Sequence, residues 1–283
     1  EYNNAFIAYR NAYDIYTKEY ADLFKFKLPE QLKHDLVRTA DLAGISNERD
    51  RYKTEFGIEY KRPVKDESEL VILWNNGLGP IKDEWGINFA IIYGSNGWVT
   101  FVNKDYGMSF PFYIGDTDLS GLTWIKVVFP KYVERPELFR SAKIITADGS
   151  YQFDKVQNLN AISFNVLNER MMAEFTKSLV RVAIKQAAAA SVKKENEGLG
   201  TALSILGSMS ESADTRNWQT LPHSIYYTRI PSKAGAYNYK MLIKDVNGTE
   251  YEHMIDVDIK QGETLIFPLN TMATSFKPKS MPY

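Results

Sequence analysis

Cysteine is absent from the 283 residues. That excludes a disulfide scaffold, a thiolate metal site and a cysteine nucleophile. Histidine is scarce: three residues, His34, His223 and His253. None has a second histidine three or four positions away, so no zinc signature exists. A surplus of cations is also lacking, since 34 Lys+Arg face 35 Asp+Glu for a formal charge of -1. Phosphate neutralisation needs such a surplus, so no nucleic acid is expected as a partner. Apolar runs are short, and none reaches the roughly 18 residues that span a bilayer. The phosphate-loop lysine pattern and the Gly-x-Ser-x-Gly elbow are missing. Gly198-Leu-Gly200 lacks the third glycine of a dinucleotide loop and follows a helical pattern. Ser191-Val-Lys-Lys194 matches Ser-x-x-Lys but stands without its companion motifs; it reads as helix-end lysines beside exposed carbonyls. No catalytic residue, metal ligand or cofactor follows from this screen.

What is abundant is aromatic: 18 Tyr, 15 Phe and 5 Trp, within a 44% hydrophobic chain. Such a composition folds. Residues 4–24 read as one amphipathic helix. Ala5, Ala8 and Ala12 share one arc, and Tyr9, Tyr13, Tyr16 and Tyr20 fall on the adjoining one. The tyrosines are the first candidate binding residues, as a concave face for a peptide; the plainer reading is packing against the next helix. Pro29 opens a second helix with a Leu32/Leu36/Ala40/Ala43 stripe and a stop at Gly44. His34 falls on its polar side. Ser46 is a candidate N-cap for a third helix ending at Gly57. The unit resembles a tetratricopeptide-type repeat. One repeat cannot bury both faces, so further repeats are expected ahead of it.

From Ser68 the pattern shortens to strands. Leu70–Trp74, Ile87–Tyr93, Trp98–Val102, Leu122–Phe129, Lys143–Thr146 and Tyr151–Phe153 are apolar or alternating and separated by turn residues. Pro111 demotes Phe110–Ile114 to an edge strand. A long helix is predicted over 165–194, with an apolar arc wide enough for two neighbours. Glu197 to about Met209 is predicted as its hairpin partner, and Gly198–Ser210 carries no charge. Three strands follow: Ser224–Ile230, ended by Pro231, and the pair Tyr237–Asp245 and Tyr251–Ile259 about an Asn247-Gly248 turn. Thr264–Phe267 comes after them. These strands are expected to complete the earlier ones. The hairpin also accounts for the glycosylation-like Asn247-Gly-Thr249.

Further site candidates are few. Asp214, Arg216 and Trp218 share one side of an extended linker. They suit recognition of a polar ligand, or pinning of the linker. Asp116, Asp118 and Glu134 are loop carboxylates of the kind that work in pairs on glycans. The Asp116/Asp118 loop offers too few oxygens for calcium.

Several stretches together carry a resemblance. They are Trp74-Asn-Asn-Gly-Leu-Gly-Pro-Ile-Lys82, Gly97-Trp-Val-Thr-Phe-Val102, Phe129-Pro-Lys-Tyr-Val-Glu-Arg-Pro136, Asn196-Glu-Gly-Leu-Gly200 and Ala213-Asp-Thr-Arg-Asn-Trp-Gln-Thr-Leu-Pro222. In these the chain resembles an uncharacterised family of bacterial envelope lipoproteins, with tetratricopeptide-like repeats ahead of a β-rich C-terminal region. The resemblance implies an exported protein facing the periplasm or outer membrane. Its only membrane link would be an N-terminal lipid outside this stretch, and its partners would be other envelope proteins. It implies no catalytic residues.

The resulting expectation is an α+β chain. Residues 1–62 form a tetratricopeptide-like helical segment and 63–276 a β-sandwich-like body. A long helical hairpin interrupts that body at about 165–210, and 277–283 form a loose tail. The expected function is non-enzymatic protein binding or scaffolding in the envelope. The alternatives are an enzyme on cell-wall glycans using loop carboxylates, and a membrane-contacting or self-assembling protein using residues 198–210.

Overall fold

A computed structural model describes residues 2–24, 27–64, 67–115, 123–195 and 212–273. Its first helix, α1 (Tyr2–Ile15), passes through a π-helical turn, Tyr16–Tyr20, into α2 (Ala21–Phe24). The expected single helix therefore changes hydrogen-bonding register midway. Thr17 lies at this point, and its hydroxyl donates to the Tyr13 carbonyl at 2.9 Å. Such back-bonding competes with the main-chain ladder.

Helix α3 (Glu30–Leu42) begins directly after Pro29. Its early Gln31 N–H is capped from a distant strand residue, Asp154, at 2.7 Å. The helix closes at Gly44, where φ is +75° and the Ile45 N–H returns to the Ala40 carbonyl at 2.8 Å. Helix α4 (Ser46–Phe56) starts one residue earlier than expected: Ile45 precedes it and no side chain caps it. Phe6, Leu32, Leu36, Val37, Ala40 and Tyr52 bury the seam among the helices.

The strands are β1 (Ser68–Asn76), β2 (Ile81–Tyr93), β3 (Trp98–Asn103), β4 (Met108–Tyr113), β5 (Trp124–Val133), β6 (Phe139–Thr146), β7 (Gly149–Gln152) and β8 (Asp154–Asn158). After the long helix α5 (Leu159–Glu195) come β9 (Ser224–Ser232), β10 (Gly235–Asp245), β11 (Glu250–Ile259) and β12 (Thr264–Thr271). They make three four-stranded sheets, ordered β12-β1-β9-β8, β11-β10-β6-β7 and β4-β3-β2-β5. The chain is thus mixed α+β. Helix α5 begins at Leu159 rather than near 165, because the Asn158 side chain caps the Ala161 N–H at 3.0 Å. Strand β9 runs past Ile230 to Ser232, so Pro231 is its penultimate residue and not its terminator. No described helix is long and apolar enough to cross a membrane. The expected second limb of the helical hairpin, Glu197–Met209, lies outside the described residues, as do Asp116, Asp118 and the tail at 277–283.

The chain divides into two compact units. The first holds Glu1–Pro80, Glu134–Ile162 and Gln219–Tyr283. Two of its sheets share one core, in which Leu70, Ile72 and Trp74 of β1 meet Ile144, Met241, Ile255 and their neighbours. Side chains alternate along a strand. The other face of β1 therefore carries Glu69, Val71 and Leu73. The second unit holds Ile81–Val133 and Ser163–Trp218. One face of its antiparallel sheet buries Ile87, Phe89, Ile91, Val99, Phe101, Ile125 and Val127. Phe175 of α5 packs onto that face, its ring 4.1 Å from Phe110 and 5.2 Å from Phe89. Pro111 lies in β4, an edge strand, as its missing N–H requires.

Candidate functional site

The face of β1 turned away from the core builds a site within the first unit. Strand register sets Glu69 beside Thr264, Val71 between Ile266 and Arg229, and Leu73 between Pro268 and Tyr227. Charged side chains on a sheet face that helices cover need partners. Helix α3 supplies them, with Asp35 and Arg38 one turn apart. Arg229 Nε lies 2.9 Å from Asp35 Oδ1, and its Nη1 lies 2.5 Å from Glu69 Oε1. Its Nη2 donates to the Tyr9 hydroxyl at 3.0 Å. Arg38 stands 3.3 Å from Glu69 and 3.6 Å from Asp35. Thr264 donates to Glu69 at 2.7 Å. The two cations and two carboxylates balance.

Their protonation follows from burial and pairing. Burial pushes the Asp35 carboxyl up, and Arg229 and Arg38 offset only part of that. Burial acts on Glu69 in the same sense, but there the two arginines outweigh it and hold the carboxyl below its ordinary range. Burial also pushes the Tyr9 phenol up.

Above this cluster lies a cavity of about 770 Å³. Ala5, Tyr9, Ala12 and Tyr16 of the first helix form one wall. Val71, Leu73, Ile266 and Tyr227 form the sheet side, where Arg38, Glu69 and Arg229 supply the polar groups. The alanines leave the space: a larger side chain at either position would enter it. Tyr227 is 8% exposed, and its hydroxyl has no hydrogen-bond partner among the described residues. An unpaired buried hydroxyl costs roughly 1–3 kcal/mol, which a ligand oxygen or water would recover. A cavity of this size, mostly apolar with a few convergent polar groups, matches a ligand pocket.

Tyr13, Tyr16 and Tyr20 also hold the helix in place. The Tyr13 hydroxyl donates to Glu55, and that bond pushes its pKa up to about 12. Its ring packs on Tyr52 and Phe56. Tyr16 donates to the Val156 carbonyl, while Tyr20 accepts from Gln157 at 2.9 Å. So Tyr9 and Tyr16 reach the cavity, whereas Tyr13 and Tyr20 are not among its lining residues.

Asp214, Arg216 and Trp218 lie apart, in the second unit. Arg216 grips Asp214 through two bonds of 2.8 Å and holds its carboxyl well below the usual range. Both are exposed, and Trp218 is 72% exposed. In the same linker the Ala213 N–H donates to Glu84 at 2.9 Å, and Asn217 accepts from the Lys82 N–H.

Among the histidines, His34 and His253 are exposed and His223 is buried. His223 sits in the first unit, 3.4 Å from Glu134 through Nε2 and 3.4 Å from Glu137 through Nδ1. Lys155 and Asn76 also bond to Glu137, at 2.9 and 3.0 Å. Glu134 is thus tied to His223 and, at 3.2 Å, to Asn160. Three of the stretches quoted for the resemblance meet nearby. Arg135 donates to the Gly79 carbonyl and to the Gln219 carbonyl, both at 2.6 Å, and the Gly79 N–H donates to the Leu221 carbonyl at 2.7 Å.

Sequence reasoning missed Asp35, Arg38, Glu69, Tyr227 and Arg229. The available signal was charge at positions where burial was expected: Arg229 inside the strand pattern, Glu69 at the head of an apolar run and Asp35 beside Leu36. Among the described residues, no cluster of three or more His, Asp or Glu is placed to hold a metal ion. No protein-family model, no curated protein and no solved structure matches this chain.

Proposed function

We propose that the chain is a non-enzymatic protein-binding module of the bacterial cell envelope, part of a lipoprotein with tetratricopeptide-like helices ahead of a β-sandwich. The envelope location rests on the resemblance carried by the stretches quoted above. The binding role rests on one observation, the cavity between the first helix and the outer face of the β12-β1-β9-β8 sheet. Its charged groups pair in a neutral cluster, its walls are alanine, tyrosine and aliphatic side chains, and the Tyr227 hydroxyl is left to meet a polar atom of the occupant. Such a pocket favours an uncharged, largely apolar segment of a partner protein.

Phage display of random 12-residue peptides on the immobilised protein tests this, with counter-selection on Ala12→Trp. The tryptophan fills the cavity from the helix side. Peptides should be enriched on the parent protein and fail on the variant, while the variant's circular dichroism shows the fold retained; Ala12 also packs beside the helical core, so the melting temperature is measured alongside. Equal binding to both proteins, or no enrichment, contradicts the proposal.

A further inference from the structure

We infer that the segment bound in this cavity is an extended peptide that adds to the sheet along the free edge of β12. The inference rests on the binding role proposed for the cavity and names the form of its occupant.

β12 is an edge strand, and among the described residues it pairs only with β1. Its two sides are distinguishable. The Glu69 N–H donates to the Glu263 carbonyl at 2.9 Å, and the Gly77 N–H to the Thr271 carbonyl at 2.8 Å. Main-chain groups alternate sides along a strand, so odd-numbered residues of this segment face β1 and even-numbered residues face outward. Thr264, Ile266 and Asn270 therefore offer both N–H and C=O to a further strand. The remaining even residue is Pro268, which offers a carbonyl and has no N–H. The proline thus sits on the outward side, where it breaks no bond to β1.

An edge of this kind is a ready template for a neighbouring chain. This one also lines the cavity, through Gly262, Thr264 and Ile266. Ile266 is 60% exposed on an edge that, among the described residues of the strand, is blunted only by Pro268. A strand added beside β12 at roughly 4.8 Å would place every second side chain on the cavity side, next to Ile266 and below Ala5 and Ala12. The intervening side chains would turn away. The balanced charges of Asp35, Arg38, Glu69 and Arg229 leave no net charge for a charged residue to answer. The occupant is thus a peptide with small or medium uncharged apolar residues at alternate positions.

The test uses peptides recovered by the selection, synthesised with a fluorescent label and read by anisotropy against the full chain. Two analogues carry N-methyl groups on alternate residues, one analogue for each register. Strand pairing directs every second N–H at β12, so one register of methylation should weaken binding at least tenfold and the other should have little effect. On the protein side, Ile266→Pro removes an outward N–H and should weaken binding by a similar factor. Ile266→Thr keeps the N–H and should bind within threefold of the parent. Equal effects of the two methylation registers would overturn the inference whether or not Ile266→Pro folds. Displacement of the peptide by dodecanoic acid, with no dependence on register, would also overturn it in favour of an acyl occupant. If Ala12→Trp still blocks peptides that show no register effect, the cavity reading stands and strand addition falls. If Ala12→Trp blocks nothing, both fall.

Discussion

Replacing Arg229 by methionine isolates what holds the helices to the sheet. The side chain of Arg229 is 9% exposed and contacts Asp35, which is 1% exposed, and Glu69, which is 16% exposed. Methionine keeps most of the volume and removes the charge. Arg38 alone then faces two buried carboxylates, at 3.3 and 3.6 Å, and Tyr9 loses its donor. Removing one partner of a buried pair costs about 3–5 kcal/mol, because the stranded charge keeps its desolvation penalty. Asp35→Asn added to Arg229→Met restores neutrality, with Arg38 left to pair with Glu69. The double variant should recover at least about 1 kcal/mol of the loss, within the range for coupled neighbours. Urea unfolding measures both effects. Trp74, fully buried in the first unit, reports it when the four tryptophans of the second unit are replaced by phenylalanine. A loss below about 1 kcal/mol for Arg229→Met, or a double variant no more stable than the single one, would refute the view that these charges act as a closed set.

Three further outcomes are expected. Burial alone would raise the Glu137 carboxyl, but His223 and Lys155 outweigh it and hold its pKa at about 2. The fold therefore prefers the ionised form: its contribution is present above the ordinary carboxyl pKa of about 4.5 and is lost as pH falls from there toward 2, by no more than about 3 kcal/mol. Urea midpoints between pH 5 and 2.5 should fall less steeply in Glu137→Gln. Phe175→Ala should cost the second unit about 3–5 kcal/mol, since the ring is buried against Phe89, Phe110 and Phe129; the loss is read from the tryptophans of that unit. Gly77→Ala should cost about 1–3 kcal/mol, because φ is +65° there and the added Cβ would stand 3.1 Å from the His223 Cβ; a thermal melt checks it.

Local features of this fold are legible in the sequence, and its long-range pairings are not. Asn247-Gly248 between alternating strands announces the β10–β11 hairpin. Pro111 marks an edge strand, and Gly44 marks a helix end through its positive φ. The parallel pairing of β1 with β12 joins Leu70 to Leu265, 195 positions apart in the 283-residue chain. No local residue choice specifies it; it follows from which apolar faces find each other. The site shares this split. The Tyr9/Tyr16 stripe and the alanine arc stand out by helical spacing. Their destination depends on Arg229 and Glu69, whose charges are satisfied only after distant strands align. The tyrosine spacing by itself fits both a cavity wall and internal packing, and the structure uses Tyr9 and Tyr16 for both and Tyr13 for packing.

Amide hydrogen exchange of the full chain, with and without a saturating selected peptide, tests the binding cavity most directly. Slowed exchange is expected in Tyr2–Ile15 and at the amides of Thr264, Ile266 and Asn270, with Glu250–Ile259 and the second unit unchanged. Protection confined to the second unit, or none on either wall of the cavity at saturation, would contradict it.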